Sequence, residues 1–165
     1  MIGLAAAFNR LRGGRNPRVG RIGKLESIAQ APTFAGLGAI ELRHVAGCLD
    51  EVEIPREGFA LIREGRVNRT FWLIVEGRVG VTFAGRPMRS HGAGEVLGVP
   101  SLLDRKPAGV TVVTLEPVRA LVASVLQFEA MRCLPSIDLR LRAAVSERLR
   151  DDYLRLVDLR RVAPA

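Results

Sequence analysis

The 165-residue sequence has few of the residues that build metal centres or disulfide frameworks. It contains two cysteines, Cys48 and Cys133, and two histidines, His44 and His91. Two cysteines this far apart cannot form a disulfide framework, so we expect two reduced, buried thiols in a cytoplasmic protein. The histidines add too little for a cluster of metal ligands. We therefore predict no metal and no other cofactor.

Long apolar runs and catalytic motifs are also missing. No apolar run approaches the roughly 20 residues that a membrane-spanning helix needs. Residues 1–8 are apolar but have no preceding basic residue and no following cleavage site, so we expect no secretory signal. The sequence has no serine–histidine–acid set, carboxylate dyad or glycine-rich phosphate loop, and we predict that the protein is not an enzyme.

What the sequence does have is an apolar core and an uneven charge. Hydrophobic residues make up 48% of the chain, enough for the core of one domain. The net charge is +8, and six of the excess charges precede the first acidic residue, Glu26. These six residues are Arg10, Arg12, Arg15, Arg18, Arg21 and Lys24. The sequence therefore predicts a basic flexible arm over residues 1–23, attached to a nearly neutral body.

The body changes from helices to strands and back to a helix. Helical spacing predicts two short helices, one ending before Pro32 and one over residues 40–49. Short segments rich in β-formers follow, with turn signals between them, which is typical of an antiparallel sandwich or barrel. The predicted strands cover residues 52–54, 59–63, 70–75, 79–83, 110–115 and 118–125. A short helix over 126–134 precedes a long one, with Ser136 as its N-cap and residues 137–161 as its body. This order predicts an α+β domain.

Several turns occur in an order that resembles a known family. They are Pro55-Arg56-Glu57-Gly58, Arg63-Glu64-Gly65, Glu76-Gly77-Arg78-Val79 and Gly94-Glu95-Val96-Leu97-Gly98. In this order they resemble the cyclic-nucleotide-binding domain of catabolite-activator-type regulators and kinase regulatory subunits. The resemblance covers about residues 30–160. It implies an antiparallel double-stranded, jelly-roll-like β-roll over residues 24–135 with N-terminal helices, followed by a long C-terminal helix over 136–161.

The sequence departs from that family where the family holds its ligand. The resemblance places a ribose-binding glutamate at Val99, a phosphate-binding arginine at Ala108 and a hydroxyl at Gly109. None of these residues offers the expected polar side chain. Because charge-assisted bonds contribute roughly 1.5–3 kcal/mol each, we expect cyclic-nucleotide affinity to fall by about two to four powers of ten. The degenerate ligand pocket is predicted to comprise Gly94, Glu95, Gly98, Val99, Leu102, Arg105, Lys106, Ala108 and Gly109.

The long helix and the arm are the predicted contact surfaces. A coiled-coil-like seam with one polar member is predicted along the helix at Val145, Leu149, Asp152, Leu156 and Leu159. In dimeric relatives this helix is the interface, so a homodimer is expected; the alternative is a helix folded back onto its own domain. The chain ends where DNA-binding relatives continue into a helix-turn-helix module, so we expect no sequence-specific DNA binding. The arm has four interpretations: a solvated tail, a docking peptide, a membrane-surface anchor or a nucleic-acid tail.

The leading hypothesis is a non-enzymatic regulatory or adaptor protein that acts through protein contacts and binds cyclic nucleotide weakly or not at all. One alternative is a small-molecule sensor with a non-standard pocket that uses Arg105 and Lys106. A second alternative is membrane-surface or nucleic-acid binding through the basic arm.

Overall fold

A computed structural model describes residues 21–162 of the chain, with side chains for residues 23–154. Five α-helices and eight strands lie in this part of the chain. The helices are α1 Arg21–Gln30, α2 Ala39–Gly47, α3 Val99–Asp104, α4 Val125–Met131 and α5 Pro135–Val162, with a 3₁₀ turn at Pro32–Phe34. The strands are β1 Asp50–Ile54, β2 Ala60–Ile62, β3 Thr70–Glu76, β4 Val79–Phe83, β5 Arg86–His91, β6 Val96–Leu97, β7 Thr111–Thr114 and β8 Val118–Ser124.

The strands form two four-stranded antiparallel sheets. The first has the order β1-β8-β3-β6 and the second the order β2-β7-β4-β5. In the first sheet β3 lies between β8 and β6, with Trp72 opposite both Val122 and Leu97. The predicted α+β fold, an antiparallel β-roll with a long C-terminal helix, is confirmed.

Strand β3 contributes to two separate cores because its side chains alternate between the faces of the sheet. Phe71 and Leu73 pack in the first core, together with the helices. There the Phe71 ring lies 5.9 Å from Phe128 and 6.5 Å from Phe34, measured between ring centroids. Trp72 and Ile74 pack in the second core, which is formed by residues of both sheets. Strands β8 and β6 also contribute to both cores, so the first sheet lies between the helices and the second sheet.

The ends of the helices differ from the prediction by a few residues. Helix α1 begins at Arg21, inside the segment predicted as the arm; residues 1–20 lie outside the described part of the chain. Helix α5 begins at Pro135, so Ser136 is not its N-cap. Proline suits the first position of a helix, where no N–H is needed. The Ser136 hydroxyl instead donates to Glu41, an acceptor on α2.

Two strands and one cysteine were not anticipated correctly. Strands β5 and β6 were not predicted, because Arg86–His91 has no alternation of apolar residues and β6 is only two residues long. The prediction of two buried thiols was wrong for Cys133, which is exposed, while Cys48 is partly buried. Burial raises the pKa of the Cys48 thiol.

Gly77 is the turn residue on which strand pairing depends most directly. Its φ is +89°, and a Cβ atom there would lie 2.3 Å from the Pro117 carbonyl oxygen. We expect Gly77→Ala to lower the free energy of unfolding by about 3 kcal/mol or more, because strain and backbone overlap add. Urea denaturation measures this.

Gly58→Ala is the matched control for this substitution. Gly58 also has a positive φ, +72°, but nothing lies within 4 Å of its added Cβ. We expect Gly58→Ala to lower the free energy of unfolding by only about 1–2 kcal/mol. Equal losses in the two variants would show that the close approach to Pro117 is unimportant.

Candidate functional site

The predicted ligand turn is held in place by the neighbouring strand. Gly94 N donates to the Ile74 carbonyl at 2.8 Å, and Ile74 N donates to the Glu95 carbonyl at 3.0 Å. At the other end of the turn Gly98 has φ +85°, and a Cβ there would lie 2.5 Å from the Thr70 carbonyl. The turn therefore requires glycine at Gly98 for both conformation and space.

Asn68 fixes the same turn from the loop before β3. Its Nδ2 donates to the carbonyl of Thr70 at 3.0 Å and to Ser101 Oγ at 3.1 Å. A longer contact of 3.3 Å reaches the Gly98 carbonyl. The amide thus joins the start of β3 to the start of α3, which follows the turn.

A small cavity lies next to this turn. Its volume is about 80 Å³, below the roughly 300 Å³ at which ligand pockets usually begin. Ala108 and Gly109 line it, at the positions predicted for the phosphate contacts, together with apolar side chains of the second core. The structure therefore leaves less room here than a small-molecule pocket normally offers.

The other predicted pocket residues divide between the core and the surface. Gly98 lines the cavity, whereas Val99 and Leu102 are buried in the first core. Arg105 and Lys106 are exposed on the loop after α3, where Arg105 has the unusual φ of +54°. Gly94 is in the turn against Pro32, and Glu95 faces α5. The structure thus brings Gly98, Ala108 and Gly109 together at the cavity and keeps the two loop cations at the surface.

The long helix contributes a charged group to this cavity. Arg148 of α5 lines the cavity. It donates to the Val96 carbonyl at 2.6 Å and to Glu95 Oε2 at 2.9 Å. Burial lowers the pKa of the Arg148 guanidinium, and the Glu95 carboxylate opposes that shift. The helix is therefore fastened to the ligand turn by a partly buried cation.

A second ion pair fastens α5 to β5. Arg89 of β5 pairs with Asp152 of α5, and its Nε donates to His91 Nε2 at 2.9 Å. His91 Nδ1 lies 3.3 Å from Glu95 Oε2. Because Nε2 accepts, the geometry fits a proton on Nδ1 that points to Glu95. We call Arg89, His91, Glu95, Arg148 and Asp152 the polar latch.

The polar latch lies between the small cavity and an open groove along α5. Arg89, His91 and Arg148 line the small cavity, and all five latch residues line an open groove of about 660 Å³ along α5. Both signs of charge are present in the latch and largely neutralise each other. A molecule that enters the cavity from the groove must therefore displace these side chains.

Some of the residues predicted to form the helical seam contact the roll of the same chain. Val145 packs against the first core, and Asp152 is paired within the chain in the polar latch. Leu149 is 61% exposed. The side chains of Leu156 and Leu159 lie outside the described residues. The buried face of α5 instead continues Ile137 and Leu141.

Sequence reasoning missed Asn68, Arg89 and Arg148. Arg148 had a signal, because it follows Leu141 and Ala144 at helical spacing and so lies on the same face of the helix. Arg89 had none, since its strand was not predicted. Among the described residues, no group of histidine, cysteine and acidic side chains could hold a metal ion, and no helix there has the length and apolarity to cross a membrane.

Comparison with known proteins identifies the roll. Residues 55–132 match the family model of the cyclic nucleotide-binding domain. This segment is therefore similar to the domains of that family. The match begins at the turn Pro55 to Gly58 and includes the whole ligand turn. No curated protein sequence matches the chain significantly.

Solved structures support the same fold for the cyclic nucleotide-binding domain. The catabolite activator protein of Thermus thermophilus is 27% identical, with a TM-score of 0.67; the match covers 78% of this chain and 62% of that one. The structure of PKAR CBD2 with bound Sp-2Cl-cAMPS is 21% identical, with a TM-score of 0.70 and coverage of 79% and 87%. A regulatory subunit of a cAMP-independent protein kinase A from Trypanosoma brucei is 23% identical, with a TM-score of 0.65 and coverage of 75% and 45%. The chain thus spans less than two thirds of the Thermus thermophilus protein.

The bonds of Arg148 predict a measurable contribution to stability. Arg148→Met keeps the length of the side chain but removes its donors to Val96 and Glu95. We expect the free energy of unfolding to fall by about 1–3 kcal/mol, because hydrogen bonds to charged groups contribute about that much. Urea denaturation at neutral pH measures it.

Arg150→Met is the control on the same helix. Arg150 is exposed, and its substitution should change stability by no more than about 0.5 kcal/mol. If both variants unfold at the same urea concentration, the latch does not fasten α5 to the roll.

Proposed function

We propose that this protein is a non-enzymatic regulatory or adaptor module whose cyclic nucleotide-binding domain binds cyclic nucleotide weakly or not at all. The observation that carries the proposal is the small cavity. Ala108 and Gly109 line it in place of the phosphate contacts, and its volume of about 80 Å³ is too small for a typical ligand. Val99, in place of the ribose contact, is buried in the first core.

The polar latch supports the same conclusion. Arg148 reaches from α5 to the cavity, where it is already bonded to Val96 and Glu95. A nucleotide phosphate would have to compete with the carboxylate of Glu95 for this cation. The regulatory subunit of a Trypanosoma brucei protein kinase A that is described as cAMP-independent has a similar fold. A role without cyclic nucleotide is therefore compatible with this architecture.

Titration calorimetry of the full chain with cyclic AMP and cyclic GMP tests the proposal. We expect no saturable binding in the micromolar range, because the loss of two charge-assisted contacts weakens affinity by about two to four powers of ten. Micromolar binding would contradict the proposal. If Arg148→Met then abolished that binding, the protein would be a sensor whose pocket uses the helix arginine.

The output surface that we propose is the solvent-facing side of α5. Leu149 and Tyr153 lie one helical turn apart and are 61% and 67% exposed, and Leu154 beside them is 51% exposed. Apolar side chains in this arrangement suit packing against another helix. We propose that the first partner is a second copy of the chain, through this face of α5.

Sedimentation velocity tests the homodimer. The full chain should sediment as a dimer, and the double variant Leu149→Asp, Tyr153→Asp should sediment as a monomer, because two carboxylates cannot be buried unpaired. Leu126→Asp is the control, since Leu126 is 82% exposed on α4, away from this face. A monomeric unmodified chain, or the same dimer in the double variant, would contradict the assignment.

A further inference from the structure

Three loops meet at one end of the second sheet. Strands β2 and β4 end there, and β5 and β7 begin there, as the pairs Ile62–Val112 and Phe83–Arg86 show. The loops are residues 63–69, the β4–β5 turn at residues 83–86, and residues 104–110. We call their combined surface the loop end.

Hydrogen bonds between the loops hold the loop end together. Gly65 N donates to the Ala108 carbonyl at 2.8 Å, and Ala108 N donates to the Arg66 carbonyl at 2.9 Å. The carboxylate of Glu64 accepts from Ala84 N at 2.9 Å. The three loops therefore form one connected surface.

The loop end carries a strong positive charge. It has six basic side chains against two acidic ones, Glu64 and Asp104. Glu64 is already engaged with the β4–β5 turn. Within the described part of the chain, the basic side chains have no ion pair or side-chain hydrogen bond, and all are exposed. They are Arg63, Arg66, Arg69, Arg86, Arg105 and Lys106.

Two exposed apolar side chains belong to the same loops as these cations. Val67 is 67% exposed and Phe83 is 52% exposed. Val67 lies in the first loop, where it bridges to Pro107 of the third. Phe83 is at the end of β4, beside Arg86. Exposed apolar residues surrounded by cations are the arrangement found on surfaces that rest in a membrane interface.

From this arrangement we infer that the loop end binds an anionic membrane surface. The six cations contact acidic lipid headgroups, and Val67 and Phe83 enter the boundary between headgroups and acyl chains. A bilayer offers many anions in one plane above an apolar layer, which is complementary to loop tips that combine both kinds of side chain. Arginine, which supplies five of the six cations, binds phosphate groups in bidentate geometry. The basic arm, whose sequence also combines apolar and basic residues, would add a second contact.

Co-sedimentation of the full chain with vesicles tests the inference. We expect binding to vesicles made of equal parts phosphatidylcholine and phosphatidylserine, and none to phosphatidylcholine alone. The triple variant Arg63→Glu, Arg66→Glu, Lys106→Glu should bind the mixed vesicles on the order of 100-fold more weakly, since each cation near the surface contributes about a factor of five to ten. Phe83→Ser should weaken binding about tenfold.

A second triple variant has the same net charge as the first and keeps the basic arm, so it shows whether either of these alone accounts for binding. Arg43→Glu, Arg56→Glu, Arg150→Glu changes the same number of charges at exposed positions on other parts of the domain. It should retain nearly full binding. Equal loss in both triple variants would mean that only net charge matters and would overturn the inference.

Two further outcomes would also overturn the inference. One is failure of the unmodified chain to bind the mixed vesicles. The other is tight binding of poly-glutamate or duplex DNA that the loop-end variant loses, without vesicle binding, since the surface would then serve an acidic protein or a nucleic acid. Circular dichroism of each variant establishes that it is folded, and Phe83→Ser tests the loop end without changing any charge.

Discussion

The guanidinium of Arg148 is the group on which the relation between the roll and the long helix depends. A partly buried cation must keep its hydrogen-bond partners, because losing them costs more than the bonds contribute. Its partners are the carbonyl of Val96 and the carboxylate of Glu95, both within the ligand turn. The turn itself is bonded to Ile74 of the central strand. The position of α5 and the conformation of the turn are therefore coupled through a few polar atoms.

The same coupling places a cation of α5 beside the small cavity next to the ligand turn. At Ala108 and Gly109 the loop offers no charged side chain, and the space beside them is small. Two cations line this space, Arg148 of α5 and Arg89 of β5, and they are paired with Glu95 and Asp152 respectively. In the function that we propose, the output of this domain does not depend on a small molecule.

The net charge of the folded domain does not show how its charges are distributed over the surface. Outside the arm, basic and acidic residues nearly cancel, which suggests a neutral body. Folding separates them. Arg119 is paired with Glu51 and Glu76 on the first sheet, whereas the cations of the loop end have no ion-pair partner among the residues that the structure describes. Because loops distant in sequence meet at one end of a sheet, a cationic surface forms where no run of basic residues exists. The apolar tips of Val67 and Phe83 belong to the same surface.

The sequence by itself determined the class of fold and most of its elements. Ordered turns containing Gly58, Gly65 and Gly77 specify the roll, because left-handed backbone conformations at fixed spacing leave few alternatives to glycine. Sequence also singled out Ala108 and Gly109, which the structure places at the small cavity beside the ligand turn. The tertiary structure alone decided which side chains line the space beside them, because Arg89 and Arg148 come from elements distant in the chain. No local pattern in the sequence encodes the partners of such polar side chains. For the same reason the tertiary structure turned Asp152 toward Arg89 of its own roll, although helical spacing had placed this residue in a seam for a second helix.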